Sequence, residues 1–135
     1  MRQELQALAH TLNIAEAVDF PGYVTNPLAV ISKSDVFVLS SRWEGLPNAL
    51  IQALGCGTTP VSTDCPSGPR EILDGGEFGY LTPVDDVDAM ASAMVDALQR
   101  PLPTAKLKAR AQCFSSARIF AEYDDLVSSL IARVG

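Results

Sequence analysis

No apolar run in this 135-residue chain approaches the ~20 residues that cross a bilayer, and its first residues lack the apolar centre of a secretory leader. Cysteine is scarce. Cys56, Cys65 and Cys113 are odd in number and show no Cys-x-x-Cys spacing, and with one histidine, His10, they make no zinc site. That usage fits a reduced, cytoplasmic setting rather than a disulfide framework. Positive charge is also in short supply: 10 Lys and Arg stand against 16 Asp and Glu, a net charge of -6. A nucleic acid is therefore not the expected partner, and electrostatic docking on anionic lipid is not expected of this segment. Lys106, Lys108 and Arg110 form the only close basic set and read as a solvated helix face. Internal repeats and low-complexity tracts are missing too. What is present, 47% hydrophobic and 19% charged residues, belongs to a folded globular chain. The length suits one domain, burying about 68% of its unfolded surface if the fold is complete.

Helices and strands alternate along the chain. Leu5, Leu8 and Leu12 predict a helix over 2–13. Val18-Asp19-Phe20 reads as a short strand ended by Pro21-Gly22. Asn26 and Pro27 start another helix, carrying Leu28, Val30 and Ile31. Residues 35–39 read as a buried strand, 60–63 as the next, 69–73 as a short helix, 74–76 as a turn and 80–82 as a last short strand. Val87, Met90, Ala91, Met94, Val95 and Leu98 form a helical stripe with Asp85 or Asp86 as cap, ended by Pro101 and Pro103. Ile119 to Ile131 repeat the stripe in a terminal helix. Such alternation predicts an α/β fold with a parallel, doubly wound sheet.

The chemistry concentrates between Ser40 and Val61. A strand ending at Leu39 enters a polar loop, and an apolar helix opens near Pro47 and closes at Gly55 or Gly57. Backbone N–H groups at such a helix start suit a phosphate, with the dipole adding to the attraction. Pro47 has no N–H, which leaves Gly45, Leu46, Asn48 and Ala49 as donors. The carboxylate of Glu44 at the turn does not suit a phosphate; it suits the hydroxyls of a sugar.

This segment resembles the donor-site signature of the retaining, two-domain (GT-B) glycosyltransferases of family 4, or group 1. That signature is a Glu, seven residues and a second Glu, then Ala-x-x-x-Gly-x-Pro-Val-like residues. Glu44 fills the first position, and Gln52 stands where the second Glu is expected. Ser34 to Ser41 before it, Thr63 to Leu73 after it and Gly79 to Asp86 agree with the family in order. The resemblance implies a Rossmann-like donor-binding domain that moves a hexosyl group from a nucleoside-diphosphate sugar, UDP or GDP type, to an acceptor hydroxyl on a lipid-linked or polysaccharide acceptor. Neither metal nor cofactor is implied. Glu44 is then the catalytic-site carboxylate beside the donor hexose, and the amides of Gly45, Leu46, Asn48 and Ala49 hold hydroxyls and diphosphate. Gln52 takes the ribose contact, with loss of a charge-assisted bond of about 1 kcal/mol; the other reading makes Gln52 a helix-surface residue of a decayed site.

Further candidates carry two readings each. Phe20 to Val24 matches the family's loop beside the nucleobase, so Tyr23 and Val24 either border the base or pack a turn. Ser67-Gly68-Pro69-Arg70-Glu71 either lines the donor site or is a structural turn, and Asp64 is a cap or a loop hydrogen-bonder. Trp43 is expected to anchor its loop in the core, His10 to lie on the surface, and Gly57 and Gly79 to need positive φ.

The resemblance also implies parts not found before Met1: an acceptor domain, and the first two strands of the sheet with a basic Arg/Lys pair. In the order 3-2-1-4-5-6 those strands would fall between 18–20 and 36–39. The chain is thus expected to be a single partial domain over 1–135, inactive alone, whose acceptor half comes from a missing domain or a second chain. A non-catalytic sugar-nucleotide-binding subunit of a split transferase and an inactive truncated fragment are the alternatives. Peripheral placement at the inner membrane through missing regions goes with either.

Overall fold

The computed structural model describes residues 2–134. Helix α1 (Arg2–Thr11) comes first. It stops two residues short of the expected end because Asn13 takes the left-handed conformation, φ 56°, and breaks the ladder. A 3₁₀ turn at Ala15–Ala17 follows, and Val18–Phe20 is not a strand. The sequence pattern was right for extended backbone, yet a strand exists only as half of a ladder, and no strand among the described residues lies beside it. The Phe20 carbonyl accepts instead from Arg2 Nη2.

Helix α2 (Pro27–Ile31) starts as predicted, with Asn26 Oδ1 accepting from the Ala29 N–H at 3.2 Å and Pro27 in the first position. The rest follows in βα units: β1 (Val36–Leu39), α3 (Asn48–Cys56), β2 (Thr59–Thr63), α4 (Pro69–Ile72), a 3₁₀ turn at Asp74–Gly76, β3 (Tyr80–Thr82) and α5 (Val87–Gln99). Asp86, not Asp85, caps α5, its Oδ1 accepting from the Ala89 N–H at 2.9 Å. Helices α6 (Thr104–Gln112) and α7 (Ser116–Val134) complete the chain.

The three strands form one parallel sheet in the order β1-β2-β3, with Val38 beside Val61 beside Tyr80 and Leu39 beside Ser62 beside Leu81. Side chains alternate between faces. Leu39, Phe37 and Leu81 join the buried cluster of Leu50, Leu54, Ile72, Leu73 and Leu107, so α3, α4 and α6 cover that face. Tyr80 points the other way, its hydroxyl donating to the Arg100 carbonyl at 2.9 Å at the end of α5. Helix α5 therefore covers the second face, which makes the sheet doubly wound. Every residue of β2 is buried, including Pro60. Proline is tolerated in this inner strand because the β3 ladder begins one residue later, at the Val61–Tyr80 pair.

Two glycines have different reasons. Gly57 caps α3 in the left-handed conformation, φ 79°, as expected. Gly79 does not have positive φ; it is needed because a Cβ there would lie 2.8 Å from both Pro60 Cγ and the Pro60 carbonyl oxygen. The Lys106–Arg110 face of α6 is not simply solvated either. Arg110 donates from Nε to the Ile72 carbonyl at 2.9 Å and from Nη2 to the Glu71 carbonyl at 2.6 Å. Its guanidinium sits 5.2 Å from the ring centres of both Phe78 and Phe114. Lys106 lies over Phe78 and pairs with Glu77 at 3.2 Å. Helix α7 is amphipathic, with Ile119, Phe120, Tyr123, Leu126, Val127, Leu130 and Ile131 all exposed. No described helix is long and apolar enough to cross a membrane.

Candidate functional site

The C-terminal ends of β1, β2 and β3 lie side by side and launch three loops: Ser40–Pro47, Asp64–Gly68 and Pro83–Asp86. The carboxyl edge of an open parallel sheet is where such folds bind ligands. The first loop carries the signature. It is held from below by Thr63, whose hydroxyl donates to the Ser41 carbonyl, with the Leu39 carbonyl 3.4 Å away. Within it, the Ser41 hydroxyl donates to Glu44 Oε1 at 2.6 Å, a short bond that fixes the half-buried carboxylate and leaves its other oxygen free to accept.

Helix α3 begins as the sequence predicts. Pro47 is its N-cap and is buried, no side chain caps it, and Asn48 and Ala49 occupy the first turn, where N–H groups have no acceptor within the helix. Gly45 stands in open space, with nothing within 4 Å of where a Cβ would be, and Leu46 is exposed. Gln52 lies one turn beyond Asn48 on the same face, exposed, without a hydrogen-bonding side-chain partner among the described residues. Glu44, Gly45, Leu46, Asn48, Ala49 and Gln52 thus follow one another from the loop into the first turns of α3, Glu44 and Ala49 half-buried and the others exposed.

The second loop packs against the signature loop. Gly68 (φ 81°, ψ -68°) presses against the signature loop so closely that a Cβ would lie 2.4 Å from both the Gly45 carbonyl oxygen and Pro47 Cδ. Arg70 closes the loop on itself through a two-pronged pair with Asp64, and that hydrogen bond, reinforced by the Asp64 charge, raises the arginine above its ordinary pKa. Residues Asp64–Gly68, Arg70 and Glu71 line an open hollow of about 520 Å³. So Asp64 serves as a loop hydrogen-bonder, and the 67–71 stretch adjoins the candidate site. The third loop reaches back: Arg42 Nε meets Asp85 Oδ1 at 2.8 Å.

One expectation is corrected. Trp43 does not anchor the loop in the core; it is 76% exposed, because Ser41, Thr63 and Asp85 already fix the residues around it. Tyr23 is 92% exposed, so turn packing does not explain it, and Val24 is half-buried. The Arg42–Asp85 pair and the Gly68 contact were not foreseen, since each joins residues more than twenty positions apart with no local pattern.

The fold matches part of the Rossmann-like half of GT-B glycosyltransferases. The family profile for "Glycosyl transferases group 1" matches residues 1–100, and the chain belongs to that family. Among curated relatives it is 35% identical over 123 residues to an N-acetylgalactosamine-N,N'-diacetylbacillosaminyl-diphospho-undecaprenol 4-alpha-N-acetylgalactosaminyltransferase of Campylobacter jejuni, covering 88% of this chain and 34% of that one. Among solved structures, the lipopolysaccharide outer core galactosyltransferase WaaB superposes with a TM-score of 0.82 at 22% identity, over 94% of this chain and 37% of that one. Anabaena Alr3699/HepE, solved in complex with UDP, superposes with a TM-score of 0.77 at 20% identity, over 96% and 36%. The chain spans about one third of the length of these relatives.

Proposed function

We propose that this chain is the donor-binding portion of a retaining glycosyltransferase, which holds a nucleoside-diphosphate hexose for transfer to an acceptor hydroxyl. The observation that carries the reading is a fixed carboxylate, Glu44, three residues ahead of Pro47 at the uncapped start of α3. The two ends suit the two ends of such a donor. Glu44, acceptor-only when ionised, takes sugar hydroxyls; the N–H groups of Gly45, Leu46, Asn48 and Ala49 take the diphosphate; Gln52 takes a ribose hydroxyl. In the transfer, the bond from the anomeric carbon to the diphosphate oxygen breaks and one to the acceptor oxygen forms. The acceptor's proton leaves with the diphosphate. Charge developing on that leaving group is what the donor-site amides stabilise.

UDP is the nucleotide to try first, since one neighbouring fold was solved with it. The acceptor half, in this reading, comes from a second domain or a second chain. The exposed apolar face of α7 favours such a partner over an isolated life for this domain.

Amide NMR spectra of labelled protein, recorded with and without UDP, GDP and ADP, test the assignment. Localised shifts at Gly45, Leu46, Asn48, Ala49 and Gln52 with one nucleotide support it and name the base. Spectra unmoved by all three, or shifts elsewhere, reject it. Glu44→Ala is expected to weaken binding of UDP-N-acetylgalactosamine while leaving UDP binding intact.

A further inference from the structure

We propose that Asp85, through its ion pair with Arg42, is a positioning residue for the Glu44 carboxylate; the inference rests on the donor-site reading above. The pair joins the loop after β1 to the loop after β3 across 43 residues of sequence. Asp85 adopts φ 62°, a left-handed conformation that aspartate enters more readily than most L-residues, though less freely than glycine. Residues held in such conformations at ligand-binding edges point to a role for the side chain. The role visible here is to present a carboxylate to Arg42.

Ser40, Thr63 and Asp85 border a hollow of about 190 Å³ at the start of α5, which Pro83, Val87 and Met90 also line. The depth of the loop is set by point contacts. Gly68 fixes the Gly45–Pro47 half, and Thr63 fixes Ser41. The Arg42–Asp85 pair holds the stretch between them, and Glu44 lies two residues away. Ser41 holds the carboxylate itself, Gly68 braces the amide-bearing half, and the pair adds the tie on the backbone between Ser41 and Glu44. Both side chains are about two-thirds exposed, so the pair adds little to folding stability. Its consequence falls on where Glu44 stands, hence on the sugar end of the donor and not on the nucleotide end.

The test compares Arg42→Gln, Asp85→Asn and the double variant, in two arms. Without ligand, both single variants are expected to move the same amides, Trp43 to Gly45, and the Glu44 carboxylate carbon resonance. With ligand, calorimetric titration is expected to show each losing about two- to fivefold in affinity for UDP-N-acetylgalactosamine. Affinity for UDP stays unchanged, and the double variant does no worse than either single one. High salt reproduces the loss in the unaltered protein. The proposal is overturned if Asp85→Asn leaves the Glu44 resonances in place, or if the two losses add. It is equally overturned if Arg42→Gln weakens UDP itself, which makes Arg42 a phosphate contact. If neither ligand binds the unaltered protein, the donor-site reading fails, and the ligand-free arm alone decides the Asp85 role.

Discussion

Gly68→Ala isolates the contact that joins two site loops. The backbone there, φ 81° and ψ -68°, lies in the γ-turn region that L-residues enter only under strain, at about 1–3 kcal/mol. The added methyl would stand 2.4 Å from the Gly45 carbonyl oxygen and 2.4 Å from Pro47 Cδ. Neither is the end of a flexible side chain, so the loops must part by roughly 1 Å, an overpacking cost of about 1–3 kcal/mol. The sum is about 2–6 kcal/mol, a large share of the ~5–15 kcal/mol that holds a domain together. Gly75→Ala is the matched control: φ is again positive, at 64°, but nothing lies within 4 Å, so only the strain of about 1–2 kcal/mol remains. Urea unfolding followed by circular dichroism gives both differences. Gly68→Ala should exceed Gly75→Ala by at least about 1 kcal/mol and should shift the Gly45 and Leu46 amides in the native spectrum. Equal costs, with those amides unmoved, would refute the close approach of the two loops.

Two further outcomes follow from a half-buried arginine and a buried hydroxyl. Arg110→Met removes two hydrogen bonds to the Ile72 and Glu71 carbonyls and the stacking on Phe78 and Phe114, while keeping the apolar stem. A loss of about 2–4 kcal/mol is expected in thermal or urea unfolding, and a loss below about 0.5 kcal/mol would contradict the bonding described. Thr82→Val is expected to be neutral or stabilising by up to about 1–2 kcal/mol, because Thr82 Oγ1 is buried without a hydrogen-bond partner among the described residues. Marked destabilisation in the same assay would mean that the hydroxyl is satisfied.

What the sequence made legible was local. Apolar runs placed β1, β2 and β3; Asn26-Pro27 and Asp86 marked helix starts; Gly57 marked a helix end. The signature placed Glu44 on a loop and Gln52 on a helix, because strand, turn and helix are coded within some twenty consecutive residues. Ladders and ties between distant segments were not legible. Val18–Phe20 had strand-like residues but no neighbour to pair with. Lys106 and Arg110 looked like surface cations because Phe78, which they cover, lies about thirty residues earlier. Gly79 looked like a turn glycine when its real constraint is Pro60, from the neighbouring strand. Trp43 misled by its apolarity, since polar partners elsewhere in the loop already hold the backbone.

The strands lie in the sheet in the order in which they occur in the chain. Each new strand therefore docks on the one just formed, after a crossover of about twenty residues, and no earlier segment has to be threaded between partners already in place. Each closure costs loop entropy before the parallel pairing offsets it, though the cost grows only slowly with length. The Arg42–Asp85 pair, closing 43 residues, belongs to the last of these steps. Because the pair is exposed and adds little stability, weakening it is expected to leave unfolding and refolding rates nearly unchanged. Its loss is read in the position of the loop and not in the folding of the core.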